Sequence, residues 1–142
     1  MKTVRQLLQS KGSQVHTIAA DAKVIEALRV MAEKEIGALV VVDGSRVAGV
    51  ISERDYARKV ILQGKSSHDI PVREIMTAKV HMVDLKHTVD ECMAIMTEKR
   101  VRHLPVLEND QLSGILSIGD LVKEVIAEQQ QTIRELETYI HT

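Results

Sequence analysis

One short polar signature occurs twice in this chain, as Gly49-Val-Ile-Ser52-Glu-Arg54-Asp55 and as Gly114-Ile-Leu-Ser117-Ile-Gly119-Asp120. A serine that opens a helix sets its hydroxyl beside backbone N–H groups that have no partner inside the helix, and such an end favours phosphate. An aspartate three residues on offers two acceptor oxygens, enough to take both hydroxyls of a ribose. The same spacing is also that of a capping box, in which serine and carboxylate satisfy each other's backbone N–H groups without a ligand. A duplicated cap would recur in frame just as a duplicated site would. What separates the two readings is the neighbouring charge. Lys99-Arg100-Val101-Arg102-His103 carries a basic cluster into the start of an apolar strand, and Arg54 lies inside the first motif. Guanidinium groups match phosphate through their planar fork, and a protonated His103 adds a donor. The plainer alternative pairs these arginines with Glu53 or Glu98.

The elements that must position these groups form an internal duplication. A shift of 65 residues lays Val15-His16 on Val80-His81, Val24, Glu26 and Met31 on Val89, Glu91 and Met96, Leu39 and Val41 on Leu104 and Val106, and the first signature on the second. A weaker echo precedes each copy, TVRQLL at 3–8 and PVREIM at 71–76, with a link three residues longer in the first. In each copy the apolar spacing predicts a helix, over Lys23–Glu35 and again around Val89, Cys92, Met93 and Met96. A Val-rich run of buried-strand length follows, Ala38–Val42 or Leu104–Leu107, then a turn at Asp43-Gly44-Ser45 or Glu108-Asn109-Asp110. A second strand, Arg46–Ile51 or Gln111–Leu116, leads into a helix opened by Ser52 or Ser117, and a short strand near Val15–Ile18 or Val80–Val83 starts each unit. The fold class expected is α+β: two β-α-β-β-α repeats packed about a pseudo-twofold, because one such small sheet has too little cover alone. The spans expected are 1–66 and 67–127 for the repeats and 128–142 for a C-terminal helical extension, with polar Gln63–Pro71 as the linker. From Leu121 to Ile140 a broad apolar stripe, interrupted at Gln129, predicts an extended helix that packs on a partner subunit.

Composition narrows the function. Apolar residues are 44% of the chain with no Phe or Trp, so the core is aliphatic. A formal net charge of −1 lacks the basic footprint of a nucleic-acid binder. No apolar run is long enough for a signal peptide or a membrane span, so a soluble cytoplasmic protein is expected. With Cys92 the only cysteine, no intramolecular disulfide or multi-Cys metal site forms. The six histidines show no tight ligand spacing, and no metal is expected. Cys92 sits on a helical apolar stripe opposite Ala27 of the first copy, which reads as a small buried hydrophobe rather than a nucleophile. With no catalytic set at the cleft, the chain is not expected to be an enzyme.

The order helix, Ile-Gly-Ala-Leu-Val-Val-Val-Asp, Gly-Val-Ile-Ser-Glu-Arg-Asp, then Val-Arg-His-Leu-Pro-Val-Leu and Gly-Ile-Leu-Ser-Ile-Gly-Asp, resembles a pair of CBS (cystathionine β-synthase) domains, or Bateman module, from about Thr3 to Ile126. The resemblance implies a non-catalytic regulatory pair with two nucleotide sites, each drawing on both copies. One would use Ile115, Ser117, Gly119 and Asp120 with an adenine wall of Ala22, Ala27, Ile36, Gly37 and Ala38. The other would use Val50, Ser52, Arg54 and Asp55 with His87, Cys92, Val101, Arg102 and His103, the last two matching phosphate-contacting positions of the family. Gly37-Ala38 stands in the first copy where Arg102-His103 stands in the second, so the two sites are not equivalent. The expectation is a sensor of adenine nucleotides (AMP, ATP or NAD) that works as a homodimer in signal transduction and signals through an effector protein. The alternative is a protein–protein interaction module with an empty cleft.

Overall fold

A computed structural model describes the chain from Lys2 to His141; Met1 and Thr142, the outer ends of the expected spans, lie outside the described residues. The first copy comprises β1 (Thr17–Ala19), α2 (Val24–Lys34), β2 (Ala38–Asp43), β3 (Arg46–Ser52) and α3 (Glu53–Tyr56), which runs on as a π-helical turn over Ala57–Ile61. The second comprises β4 (Val83–Asp84), α4 (Val89–Lys99), β5 (His103–Glu108), β6 (Gln111–Ser117) and α5 (Ile118–Ile140). A helix α1 (Val4–Lys11) precedes the first copy and a single 3-10 turn (Val72–Glu74) precedes the second.

Each copy folds one three-stranded sheet, β1-β2-β3 and β4-β5-β6, with the first pair parallel and the second antiparallel. The repeat is kept in the register: Ala38 faces Ser52 as His103 faces Ser117, and both hairpins slip at one place, Val41/Val42 and Val106/Leu107. The opening strands start later than the sequence predicts, because these edge strands extend only as far as β2 and β5 offer partners. α5 starts at Ile118, directly after the strand, where Ser117 caps it as the helix-opening serine predicts. Both α2 and α4 stop at a non-glycine residue in the left-handed region, Glu35 and Arg100, each with φ 55.

The core is two aliphatic clusters, and each combines one copy with the segment that precedes the other. Val4, Leu7 and Leu8 of α1 pack with Val89, Cys92, Leu104, Leu116 and Leu121 of the second copy. Ile70, Val72 and Ile75 pack with Val24, Ala27, Leu39 and Ile51 of the first. Backbone bridges repeat the exchange, Thr3 to Thr88 and Lys23 to Pro71. Burying each of these aliphatic side chains contributes roughly 1.5–3 kcal/mol. The echo that precedes each copy is therefore a crossed strap, and it explains the glycine of each signature. A Cβ on Gly49 would stand 2.6 Å from the Thr77 carbonyl oxygen, and one on Gly114 would stand 3.0 Å from a Leu8 methyl.

Among the described residues, no helix is long and apolar enough to cross a membrane.

Candidate functional site

Both signatures form capping boxes. The Asp55 N–H donates to Ser52 Oγ at 3.2 Å and the Ser52 N–H donates to Asp55 Oδ2 at 3.0 Å. The Asp120 N–H donates to Ser117 Oγ at 3.1 Å and the Ser117 N–H donates to Asp120 Oδ2 at 2.8 Å. The serines and aspartates thus serve the helix starts of α3 and α5 before they serve anything else.

Beyond the caps the two corners differ. At Asp55 lies a cavity of about 330 Å³ between the copies. The first copy supplies Gly37, Val50, Ser52, Arg54, Asp55 and Arg58; the second supplies Arg100, Val101, Arg102 and His103; the stretch leading into β4 supplies Thr77, Lys79, Val80 and His81. At Asp120, α1 closes in: the Lys11 ammonium binds Asp120 Oδ2 directly and Leu8 packs on Gly114. What remains beside Asp120 is a groove on the outer face of α1 and α5, lined by Leu7, Ser10, Lys11, Lys123 and Glu124.

Of the residues expected at the Asp55 site, Val50, Ser52, Arg54, Asp55, Val101, Arg102 and His103 line the cavity, and His87 and Cys92 do not. The Cys92 side chain is fully buried in the second core, where burial pushes its thiol up to about 11. His87 turns to Asp84, whose carboxyl it holds below the usual carboxylate range, helped by the Lys86 N–H. The adenine wall expected at the Asp120 site is also dispersed. Ala27 is fully buried and Ala22 and Ile36 pack against the first core, Gly37 belongs to the Asp55 cavity, and Ala38 is half-buried at the start of β2. Ile115 lies on β6 and Gly119 in the first turn of α5, beside Ser117 and Asp120 but away from the cavity. The corner beside Asp120 is instead packed by the strap, α1, through Lys11 and Leu8.

The cavity residues that the sequence did not assign to a site are Arg58, Thr77, Lys79, Val80 and His81. A signal for one of them was present: eight residues beyond Thr3 and Pro71, the starts of the two echoes, stand Lys11 and Lys79. The related lysines meet the two aspartate corners differently, Lys11 as a partner of Asp120 and Lys79 as a wall of the open cavity.

Electrostatics sharpen the contrast. Asp55 is saturated: Oδ2 accepts from the Ser52 N–H and Oγ–H, and Oδ1 accepts from Thr77 Oγ1 and lies 3.3 Å from the Lys59 ammonium. Around it, Arg54, Arg58, Arg100 and Arg102 form no ion pair among the described residues; Glu98 pairs with Lys99 instead. Arg54 feels the consequence, its guanidinium pKa lowered by Arg102 and then by Arg58. Burial lowers the His103 pKa, against the pull of Asp120 and Asp55. At Asp120 burial pushes the carboxyl up, but the Lys11 ammonium and the Ser117 N–H outweigh it and leave it below its ordinary value. No cluster of three or more His, Cys, Asp or Glu side chains is placed to hold a metal ion among the described residues.

Comparison with known proteins fits this architecture. The family model "CBS domain" matches residues 4–62 and 72–127. CBS domain-containing protein CBSX3, mitochondrial, from Arabidopsis thaliana is 35% identical over 97% of this chain and 71% of its own length. A solved structure from Burkholderia ambifaria MC40-6, provisionally named a signal-transduction protein with CBS domains, is 54% identical, with a TM-score of 0.85 over 90% of this chain and 96% of that one. The CBS domain pair of protein MJ0100, solved in complex with 5′-methylthioadenosine and S-adenosyl-L-methionine, shares the fold with a TM-score of 0.79 at 22% identity, over 90% of this chain and 98% of that one.

Proposed function

The chain belongs to the CBS domain family, a family of regulatory modules, and from that premise we propose that it is a non-catalytic sensor that takes an adenine nucleotide into the Asp55 cleft. The observation that carries this reading is the set of unneutralised guanidinium groups, contributed by both copies, around an open cavity. Burying or crowding like charges is unfavourable unless an anion joins them, and a phosphate accepts from arginine forks directly. That MJ0100 pair, of the same fold, holds adenosine ligands, which supports a nucleoside in a cleft of this kind. In the Asp55 cleft ribose hydroxyls reach Oδ1 by displacing Thr77 and the Lys59 ammonium, which keeps the Ile75 carbonyl oxygen as its second partner at 2.9 Å. Because ribose trades one set of hydrogen bonds for another, the phosphate contacts supply most of the affinity. Ligand drawing on both copies ties them together, and it signals only as far as it prefers one arrangement over another.

Calorimetry of the full chain against adenosine, AMP, ATP and NAD tests the reading. One equivalent of a phosphorylated ligand per chain is expected, with adenosine much weaker. Absence of heat for all four ligands rejects it.

The output passes through a second copy of the chain and then an effector protein. Val122, Ile126, Ile133, Leu136 and Ile140 are exposed along α5 and, with Gln129, alternate four and three apart, the spacing of a coiled-coil seam. Antiparallel pairing with a second copy sets Val122 against Ile140, Ile126 against Leu136 and Gln129 against Ile133, and it brings Lys123 near the opposite charge of Glu137. Light scattering is expected to give a dimer for the native chain and a monomer for the double variant Ile133→Asp, Leu136→Asp. A native monomer removes this route.

A further inference from the structure

The arginines at the Asp55 cleft also line a second cavity. It measures about 550 Å³ and runs from Arg54, Arg58, Arg100 and Arg102 across to Met96, Thr97 and Ile118, at the end of α4 and the start of α5. The guanidinium row is thus the shared wall of two hollows, with the Ser52-Asp55 cap on one side only.

The row is longer than one phosphate needs. Arg54 and Arg58 stand one helical turn apart, on α3 and the π-helical turn that continues it. Arg100 and Arg102 come from the other copy, where the chain leaves α4 and enters β5. All four are exposed and unpaired among the described residues, and Asp55, a carboxylate in their midst, is already engaged by Ser52, Thr77 and Lys59. The depression of Arg54 by Arg102 and Arg58 records the same excess of positive charge. One terminal phosphate carries at most about two negative charges, fewer than the four guanidinium groups of the row.

We propose that the arginine row is a polyphosphate groove, which makes this cleft select adenine nucleotides with two or more linked phosphates over AMP and adenosine. The nucleoside occupies the Asp55 cavity, the first phosphate meets Arg54 and Arg102, and the following phosphates run past Arg58 and Arg100 into the second cavity. This selection rests on the Asp55 cleft being the nucleotide site.

The test is calorimetry on the full chain at two salt concentrations, with adenosine, AMP, ADP, ATP and inorganic tripolyphosphate as probes, repeated on Arg58→Ala and Arg100→Ala. Both side chains are exposed, and a thermal midpoint for each variant checks its fold. The expected result is ADP and ATP binding at least about tenfold tighter than AMP, with each variant weakening ATP about tenfold and AMP less than about twofold. Equal affinities for AMP and ATP, or equal losses for both in the variants, overturn the groove while leaving the nucleotide site standing. Tripolyphosphate binding that the variants weaken, with no adenine nucleotide bound, supports the groove and rejects the nucleotide site. No binding by any probe overturns both.

Discussion

The Asp55 and Asp120 corners begin from the same residue spacing, the same reciprocal cap and the same strand register, and end in different chemical states. At Asp120 the carboxylate is matched by Lys11, a cation delivered by α1. At Asp55 the preceding segment is one 3-10 turn followed by extended chain, so Thr77 reaches the aspartate and Lys79 stays on the cavity wall. On the opposite face Arg102-His103 replaces Gly37-Ala38, which places the free guanidiniums at one corner only. A duplicated motif therefore sets where a cap forms, and the strap that crosses from the other repeat sets whether the space beyond that cap is open.

The largest expected effect tests the open corner. Replacing Arg102 by Ala should weaken ATP binding about 10- to 100-fold through lost charge-assisted hydrogen bonds, each about 1.5–3 kcal/mol. Lys11→Ala, at the closed corner, should change ATP affinity less than about twofold. Calorimetry on the two variants breaks the comparison if their effects are alike.

The straps come next. Gly49→Ala drives a methyl at the Thr77 backbone oxygen, and Gly114→Ala meets only the end of the Leu8 side chain, which can rotate away. Urea denaturation should show a loss of about 2–3 kcal/mol for Gly49→Ala and under about 1 kcal/mol for Gly114→Ala. Equal losses would mean that the two straps are equally yielding.

A smaller effect belongs to the Lys11–Asp120 pair, whose side chains are about a quarter exposed. Its carboxyl lies below its ordinary value when folded, so the stabilisation is present above the unfolded carboxylate range and is lost as pH falls through the folded value. Lys11→Ala should cost about 1 kcal/mol at pH 7 and progressively less as the pH is lowered below the unfolded carboxylate range, read from denaturation across an acid series. A cost that persists in acid would assign Lys11 a packing role instead.

The smallest effect expected is none. The Cys92 thiol, buried and raised to about 11, should stay unreactive toward a thiol reagent at pH 8, with or without ATP. Labelling that nucleotide blocks would return Cys92 to the cleft.

Much of the architecture was legible in the residues. The α2 and α4 stripes and the Val-rich strands follow from apolar spacing, and the offset between repeats placed each motif in an equivalent hairpin. The capping box was equally readable, because Ser-x-x-Asp closes on itself within one turn. The site was half legible. Arg54, Asp55, Arg102 and His103 declared themselves by charge, whereas Thr77, Lys79 and His81 come from a stretch that no local pattern ties to Asp55. The burial that lowers the His103 pKa was not legible, since it arises only from packing. Ala22, Ala27 and Cys92, expected at the sites, pack in or against the two cores, because an apolar position on a helix stripe can face a core or a ligand with the same residue type.

What the amino-acid order determined by itself is every interaction that closes within a few residues: helix faces, hairpin turns, caps and the repetition of all three. The tertiary structure decided which strap lies over which sheet, that Lys11 reaches Asp120 while the arginines beside Asp55 remain unpaired, and hence which of two equivalent motifs borders an open cleft. Lys11 and Asp120 stand 109 positions apart, and such contacts are set by how each strap packs into the aliphatic cluster of the other repeat rather than by any neighbour in the chain.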